Sequence, residues 1–147
     1  PLILHARIRD GSLRGAATER DKTVLLYEGG EAWRFDRDAI EVGTAGILNV
    51  LAALSMIPTP SDRCVVPPQT SRRSTWLRAR RSGIVGLTAS LGDTVAKGQH
   101  VGVIHDSVGK RLAHINASFD GVVIGHIQHP LVNQGDAVVH LAELDST

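Results

Sequence analysis

The sequence of 147 residues has little of several features, and each shortage excludes a class of protein. A single cysteine, Cys64, excludes an internal disulfide framework and suits a reducing compartment, so we expect a cytoplasmic protein. No apolar run approaches the roughly 20 residues that cross a bilayer, so we expect no membrane partner. The net charge of +1 gives no general attraction for nucleic acid, which we also do not expect as a partner.

The first part of the chain, residues 1–58, alternates extended and helical patterns, as an α/β domain does. Residues 1–6 and Val24–Tyr27 predict short strands, and the four apolar residues of the second run predict a strand buried on both faces. Ser12 can cap a short helix over residues 13–17. Asp36 can cap a longer helix, since apolar residues recur at helical spacing from there to about Met56.

This α/β part is too short for a complete doubly wound sheet. The chain also begins at Pro1, without a methionine, and enters an apolar run at once. We therefore expect residues 1–58 to be the end of a larger sheet domain whose upstream half is absent. Its exposed sheet edge could pair with a second copy and give a homo-oligomer.

The second part, residues 71–147, follows a proline-rich linker at 59–70 and contains an internal repeat of β-type runs. Val95–Ile104 matches Val132–Leu141 at an offset of 37 residues. Two such units can pack as a pseudo-twofold pair of short sheets, so we expect a compact barrel or sandwich. The segments Leu91–Gln99 and Ala117–Val123 resemble the barrel-sandwich fold of biotinyl and lipoyl domains. The predicted fold class is thus an α/β fragment followed by an all-β barrel-sandwich domain.

Glu28 is the candidate catalytic residue. It ends the predicted strand and is followed by Gly29 and Gly30, which allow a sharp turn. In sheets covered by helices, the chemistry lies at the carboxyl ends of the strands. The alternative is a carboxylate that faces water or caps a helix. Arg34 is near enough in sequence to share the rim of such a crevice, or it forms an ion pair with Asp36 or Asp38.

Three groups of side chains in the β part are candidate sites: the arginines, the histidines and one lysine. The five arginines and one tryptophan of residues 71–81 predict a strand with one charged face that borders a small anionic ligand, rather than a nucleic-acid interface. Six of the seven histidines lie in this part, but no pair has metal-ligand spacing, so we assign no metal ligand. Lys110 lies between the repeats, where a carrier domain has its acceptor lysine, but without the flanking motif.

These motifs together resemble the succinylglutamate desuccinylase/aspartoacylase family, which joins a zinc-carboxypeptidase-like α/β domain to a small β domain. Three stretches carry the resemblance: Leu25–Glu31 with Arg34–Asp36, then Gly46–Leu51, then Ser82–Leu141. Their order is that of the family, and they cover nearly the whole chain.

The resemblance implies a hydrolase that cleaves the amide bond of N-acyl amino acids with zinc. It assigns Glu28 as general base and acid, and Arg14 as a binder of the substrate carboxylate. The zinc ligands of the family should lie upstream of the matched region. We therefore expect a zinc-dependent parent protein and a fragment that binds no zinc and is inactive alone. The alternative is a non-catalytic β-sandwich module that acts as an adaptor or a carrier.

Overall fold

The computed structural model describes residues 2–60 and 67–145 and divides into two compact units. The β unit consists of residues 2–6 and 67–145, and the helical unit consists of residues 7–60. The described residues are mostly β-sheet with two helices. The predicted linker at 59–70 falls partly outside them, and the predicted domain boundaries stay a prediction.

The helical unit contains two helices, α1 (Leu13–Thr18) and α2 (Arg37–Ala53), and the structure confirms both predicted caps. The Oγ of Ser12 accepts the N–H of Gly15 over 3.0 Å. The Oδ1 of Asp36 accepts the N–H of Ala39 over 3.0 Å. Each side chain thereby satisfies one of the N–H groups that a helix leaves unpaired at its start.

Helix α2 ends three residues before the predicted end at Met56. Ser55 adopts a left-handed conformation with φ of 57°, and its N–H donates to the carbonyl of Ala52 over 2.9 Å. The N–H of Met56 donates to the carbonyl of Leu51, also over 2.9 Å. These two bonds form a Schellman motif, which stops a helix by reversing the chain. Apolar periodicity alone does not reveal this reversal.

The predicted strand at Val24–Tyr27 is wrong for this chain. The segment is extended loop and pairs with no strand among the described residues. Its side chains are not buried either, since Leu25 is 79% and Leu26 is 72% exposed. A strand of a parallel sheet needs neighbours that bond its backbone and helices that cover its faces. The described part of this chain supplies no neighbouring strand to Val24–Tyr27, and Leu25 and Leu26 stay uncovered.

The β unit has ten strands in the described residues. In chain order they are β1 (Leu2–Leu4), β2 (Gln69–Ser71), β3 (Arg73–Arg78), β4 (Gly83–Leu87), β5 (Thr94–Val95), β6 (His100–His105), β7 (Arg111–Asn116), β8 (Gly121–His126), β9 (Leu131–Val132) and β10 (Ala137–Glu143). One antiparallel sheet has the order β3-β10-β8-β5 and the other β7-β6-β4-β9. The first predicted strand, β1, forms a separate parallel pair with β2.

The two sheets have the same strand order, and this confirms the predicted repeat. Strands β4, β5, β6 and β7 correspond to β8, β9, β10 and β3. The two-residue strand of each repeat lies in the sheet of the other repeat: β5 pairs with β8, and β9 pairs with β4. The exchange interlocks the two repeats.

The correspondence of β3 and β7 is visible in their hydrogen bonds. Ala79 accepts from Gly135 over 2.8 Å and donates to the carbonyl of Asp136 over 2.9 Å. Ala117, which lies 38 residues later, accepts from Gly98 and donates to the carbonyl of Gln99 over the same distances. The repeat therefore extends to β3 and β7, although the two strands stand in permuted order along the chain.

The core of the β unit consists mainly of alanine, valine and isoleucine side chains, with Leu77, Phe119 and Leu141, and both sheets cover it. The fully buried ones include Val95, Val101, Ile104, Val138 and Leu141. Residues of both repeats contribute, so each sheet covers the apolar face of the other. The β unit thus has a closed core of its own, whereas neither helix of the helical unit has a buried residue.

Candidate functional site

The segment that carries Glu28 is held on α2 by Tyr27. The Tyr27 hydroxyl donates to the carbonyl of Ala39 over 2.8 Å. Its ring lies against Gly43, where an added Cβ would be 2.9 Å from the Cε1 of Tyr27. Any larger residue at position 43 would displace the ring. Gly43 therefore serves the packing of this segment.

Gly29 and Gly30 turn the chain back toward the first turn of α2. Gly30 has a φ of +75°, which other residues adopt only with strain. A Cβ at this position would lie 3.1 Å from the Cβ of Asp36. Glu28 therefore projects from a bend fixed on one side by Tyr27 and on the other by Gly30.

The Glu28 side chain is exposed. Within residues 2–60 and 67–145 it makes no hydrogen bond and no ion pair. The sequence alternative of a helix-capping carboxylate does not apply, because Asp36 caps α2 and Ser12 caps α1. The carboxylate is therefore accessible to a ligand.

Arg34 pairs with neither of the two aspartates considered from the sequence. Its Nε lies 3.0 Å from the Oε1 of Glu31, three residues earlier. Trp33 between them has a φ of 68°, a left-handed conformation that turns the chain back on itself. An exposed pair of this kind contributes about 0–1 kcal/mol, so a ligand carboxylate could compete for Arg34.

Arg14 lies in α1, and its Nη2 donates to the carbonyl of Arg7 over 2.7 Å. The side chain is half-buried. No hydrogen bond or ion pair links Arg14 or Arg34 to Glu28 in the part of the chain that the structure describes. The three predicted site residues all belong to the helical unit, and their roles in a common site stay a prediction.

The histidines of the β unit belong to no metal-binding cluster within the described residues. His100 and His114 approach each other edge to face, with Nδ1 atoms 3.4 Å apart. His140 stacks on Trp76 at 4.5 Å between ring centroids. No group of three or more histidine, cysteine or acidic side chains could hold a metal ion within the described ranges. The described residues therefore supply no zinc ligand set, and whether this chain binds zinc stays a prediction.

The β unit contains a basic groove, which we call the β3–β7 groove. Its positively charged side chains are those of Arg78, Arg80, Arg81 and Lys97, and it is also lined by His114 and Asn116. The predicted alternation on β3 is confirmed, because Leu77 and Ala79 are buried and Arg78 and Arg80 are exposed. The arginine run indicated this charged face.

Lys97 was missed by sequence reasoning because it lies far from the arginines along the chain. The repeat was the signal that could have found it, since Lys97 matches Gln134, and both residues line the groove. The backbone N–H of Lys97 is fixed by the Oδ1 of Asp120 over 2.6 Å.

Solved structures of an ectoine utilization protein and of succinylglutamate desuccinylase/aspartoacylase proteins have the fold of this chain. An ectoine utilization protein, EutE (DoeB), from Ruegeria pomeroyi matches with a TM-score of 0.85 and 19% identity over 97% of this chain. A succinylglutamate desuccinylase from a Silicibacter species matches with 0.81 and 17% over 98%. An aspartoacylase family protein from Mesorhizobium loti matches with 0.73 and 22% over 99%. No protein-family model and no curated protein matches the sequence.

The chain spans less than half the length of these structures: 46%, 45% and 44% of the three chains, respectively. The resemblance found in the sequence motifs is thus confirmed at the level of the fold, for a part of the larger protein. The described residues contain no helix long and apolar enough to cross a bilayer.

Proposed function

We propose that this chain, which has the fold of part of the succinylglutamate desuccinylase/aspartoacylase proteins, belongs to a hydrolase that cleaves the amide bond of N-acyl amino acids. The match of at least 98% of the chain to two such structures is the observation that carries the proposal. The family-like segment Leu25–Glu31 supports it, because its bend presents an accessible carboxylate.

The exposed apolar residues of the helical unit support an origin in a larger domain. They include Leu25, Leu26, Ile47 and Leu54. A soluble monomer rarely exposes so many large apolar side chains in one small unit. In the proposed parent protein, Val24–Tyr27 becomes a strand of a sheet, and α2 covers that sheet.

In the proposed reaction, Glu28 takes a proton from the attacking water, and the water oxygen bonds to the amide carbon. The C–N bond then breaks, and Glu28 gives the proton to the leaving amine. The products are a free acid and an amino acid. Arg14 and Arg34 bind the substrate carboxylate. Arg34 breaks its ion pair with Glu31 and forms one with the substrate instead.

Zinc belongs to this proposal only for the parent protein, where it would act as a Lewis acid on the carbonyl oxygen. The described residues do not supply its ligands, so we assign it no step in this chain. The isolated chain should be inactive and free of zinc. We further propose a cytoplasmic location, a small-molecule substrate and no nucleic-acid or membrane partner for the parent.

The test is Glu28→Gln in the longer protein that contains these residues. We expect kcat to fall about 10²–10⁴-fold with little loss of folding, because general acid–base catalysis contributes that much. Glu31→Gln is the matched control: it removes a carboxylate three residues away, which we expect to change KM more than kcat. Equal kcat in Glu28→Gln and the wild-type protein would contradict the proposal.

A second experiment tests the role of the fragment. The purified 147-residue chain is assayed for deacylase turnover and for zinc content by elemental analysis after desalting. We expect neither turnover nor stoichiometric zinc. Turnover that survives a chelator would contradict the assignment of this chain as an inactive part of a zinc-dependent enzyme. Stoichiometric zinc would indicate that residues of this chain, such as the histidines of the β unit, bind the metal.

The competing function is a non-catalytic adaptor or carrier module. The closed core of the β unit favours it, as would a barrel-sandwich fold of the biotinyl and lipoyl kind. Lys110 ends the turn between β6 and β7, where its N–H donates to the Oδ1 of Asp106 over 2.9 Å. A carrier predicts an added mass on Lys110 in cells that make biotin and lipoate. We expect the unmodified mass.

A further inference from the structure

The β3–β7 groove lies where the two repeats face each other. Strands β3 and β7 are edge strands of the two sheets and correspond to each other in the repeat. The groove is therefore lined by pairs of equivalent positions. Arg78 has Asn116 as its equivalent in the other repeat, and Lys97 has Gln134, and all four residues line the groove. The groove has a volume of about 900 Å³, which suits a small molecule.

The charges of the groove break this symmetry. Four of the described lining residues carry a cation, namely Arg78, Arg80, Arg81 and Lys97, and none of the described lining residues is acidic. At the equivalents of Arg78, Arg80 and Lys97 the other repeat has the neutral residues Asn116, Ser118 and Gln134. The fold therefore does not require a cation at these positions.

Within the described residues, no acidic side chain neutralises these cations. Arg78 donates from Nη1 to the carbonyl of Gly135 over 2.8 Å, which holds its guanidinium at the groove. The side chains of Arg80, Arg81 and Lys97 form no ion pair within residues 2–60 and 67–145. Elsewhere on the β unit, by contrast, Arg72 and Arg73 are paired with Asp145 and Glu143. Four cations around one concavity repel each other, and a bound anion would relieve that repulsion.

We propose that the β3–β7 groove binds a small polyanion with two or more carboxylate or phosphate groups. Arg80, Arg81 and Lys97 would pair with its anionic groups, and Asn116 and Gln134 would donate from their side-chain amides. The site lies within the β unit and does not depend on the proposed deacylase activity. A nucleic acid is disfavoured, because among the described residues that line the groove His114 alone has an aromatic ring, and a single-strand site stacks successive bases on several.

The test is calorimetric titration of the full 147-residue chain at low ionic strength with citrate, pyrophosphate and acetate. We expect citrate and pyrophosphate to bind one per chain, and acetate not to bind. The tighter of the two identifies carboxylate or phosphate as the preferred group. Binding should weaken with added salt, because the partners are charged. Failure of both polyanions to bind would overturn the proposal.

Substitutions with the residue of the other repeat provide variants that should fold. Lys97→Gln and Arg80→Ser each place in the groove the side chain that stands at the equivalent position. We expect each to weaken binding about tenfold, since each removes a hydrogen bond to a charged group. Gln134→Lys adds a cation at the equivalent of Lys97 and should strengthen binding about threefold to tenfold. A gain cannot result from damage to the fold.

The matched control is Lys110→Gln, which removes the same charge outside the groove. Its affinity should equal that of the wild-type chain. Equal losses in Lys110→Gln and Lys97→Gln would show a general charge effect and contradict the site. A single-stranded oligonucleotide that binds more tightly as it lengthens, and that displaces pyrophosphate, would replace the proposal with a nucleic-acid site.

Discussion

The backbone N–H of Gln134 donates to the Oγ of Ser82 over 2.9 Å, across 52 residues of sequence. The equivalent bond in the other repeat joins the N–H of Lys97 to the Oδ1 of Asp120. The Ser82 hydroxyl thus fixes the turn before β10, and the Asp120 carboxylate fixes the equivalent turn before β6. The backbone geometry of the repeat is retained while its side chains differ. Side chains without a structural task, such as Lys97, are then available for binding.

Gly83 and Gly121 are a second equivalent pair, and we predict that neither tolerates a side chain. A Cβ at Gly121 would overlap the carbonyl oxygen of Ala142, and one at Gly83 would overlap that of His105. Backbone atoms of a paired strand cannot rotate away. We expect Gly121→Ala to lower the free energy of unfolding by about 1–3 kcal/mol, as overpacking does.

The control for Gly121→Ala is Gly86→Ala, in β4. A Cβ at Gly86 meets nothing within 4 Å. Alanine there should leave the free energy of unfolding unchanged or raise it slightly, because glycine loses more entropy on folding. Urea unfolding followed by Trp76 fluorescence in a Trp33→Phe background measures both. Equal effects of the two substitutions would contradict the overlap.

Leu141 in β10 should contribute most to the core of the β unit. Its side chain is fully buried between the sheets, in a strand that pairs with β3 and with β8. We expect Leu141→Ala to cost about 2–5 kcal/mol, from lost burial and the cavity left behind. Leu131→Ala is the control, since Leu131 is 67% exposed, and it should cost less than about 0.5 kcal/mol. The same urea unfolding separates them.

Arg73 should stabilise the β unit more by packing than by its ion pair. Its Cζ lies 4.6 Å from the centre of the buried Phe119 ring, and its Nη1 lies 3.0 Å from the Oε2 of Glu143. Exposed ion pairs contribute little, whereas a cation on an aromatic face covers apolar surface as well. We expect about 1 kcal/mol of destabilisation from Arg73→Ala and less than half of that from Glu143→Gln. Unfolding in high salt should abolish the second effect and leave most of the first.

Local signals in the sequence predicted those features that depend on nearby residues. Ser12 and Asp36 cap α1 and α2 because a capping oxygen needs only the N–H groups of the next turn. The repeat predicted two equivalent sheets because glycine turns recur at a fixed offset. The exchange of β5 and β9 between the sheets was not predictable from that periodicity, since either sheet could have kept its own short strand.

Features that depend on distant residues were not predictable. The apolar run at Val24–Tyr27 predicts a buried strand only if a sheet surrounds it, and composition does not reveal whether the sheet is present. Arg34 forms its ion pair with Glu31 rather than with Asp36, because Trp33 reverses the chain between Glu31 and Arg34. The sequence does not predict the positive φ of Trp33, since tryptophan has no preference for that conformation. Lys97 lies beside the arginines of the groove only because the fold of the repeats brings these distant segments together.

The exposed apolar side chains of the helical unit should cause the isolated chain to associate. Ile47 in α2 and Leu54, the residue that caps its C-terminus, lie seven residues apart, and both are exposed. We expect sedimentation velocity to show association that grows with concentration, and Ile47→Lys with Leu54→Lys to reduce it. Leu131→Lys is the control, because it places the same charge on an exposed leucine of the β unit, and it should change nothing. If the double variant associates as strongly as the wild-type chain, the apolar surface of α2 is not what joins the copies, and pairing of strand edges becomes the better explanation.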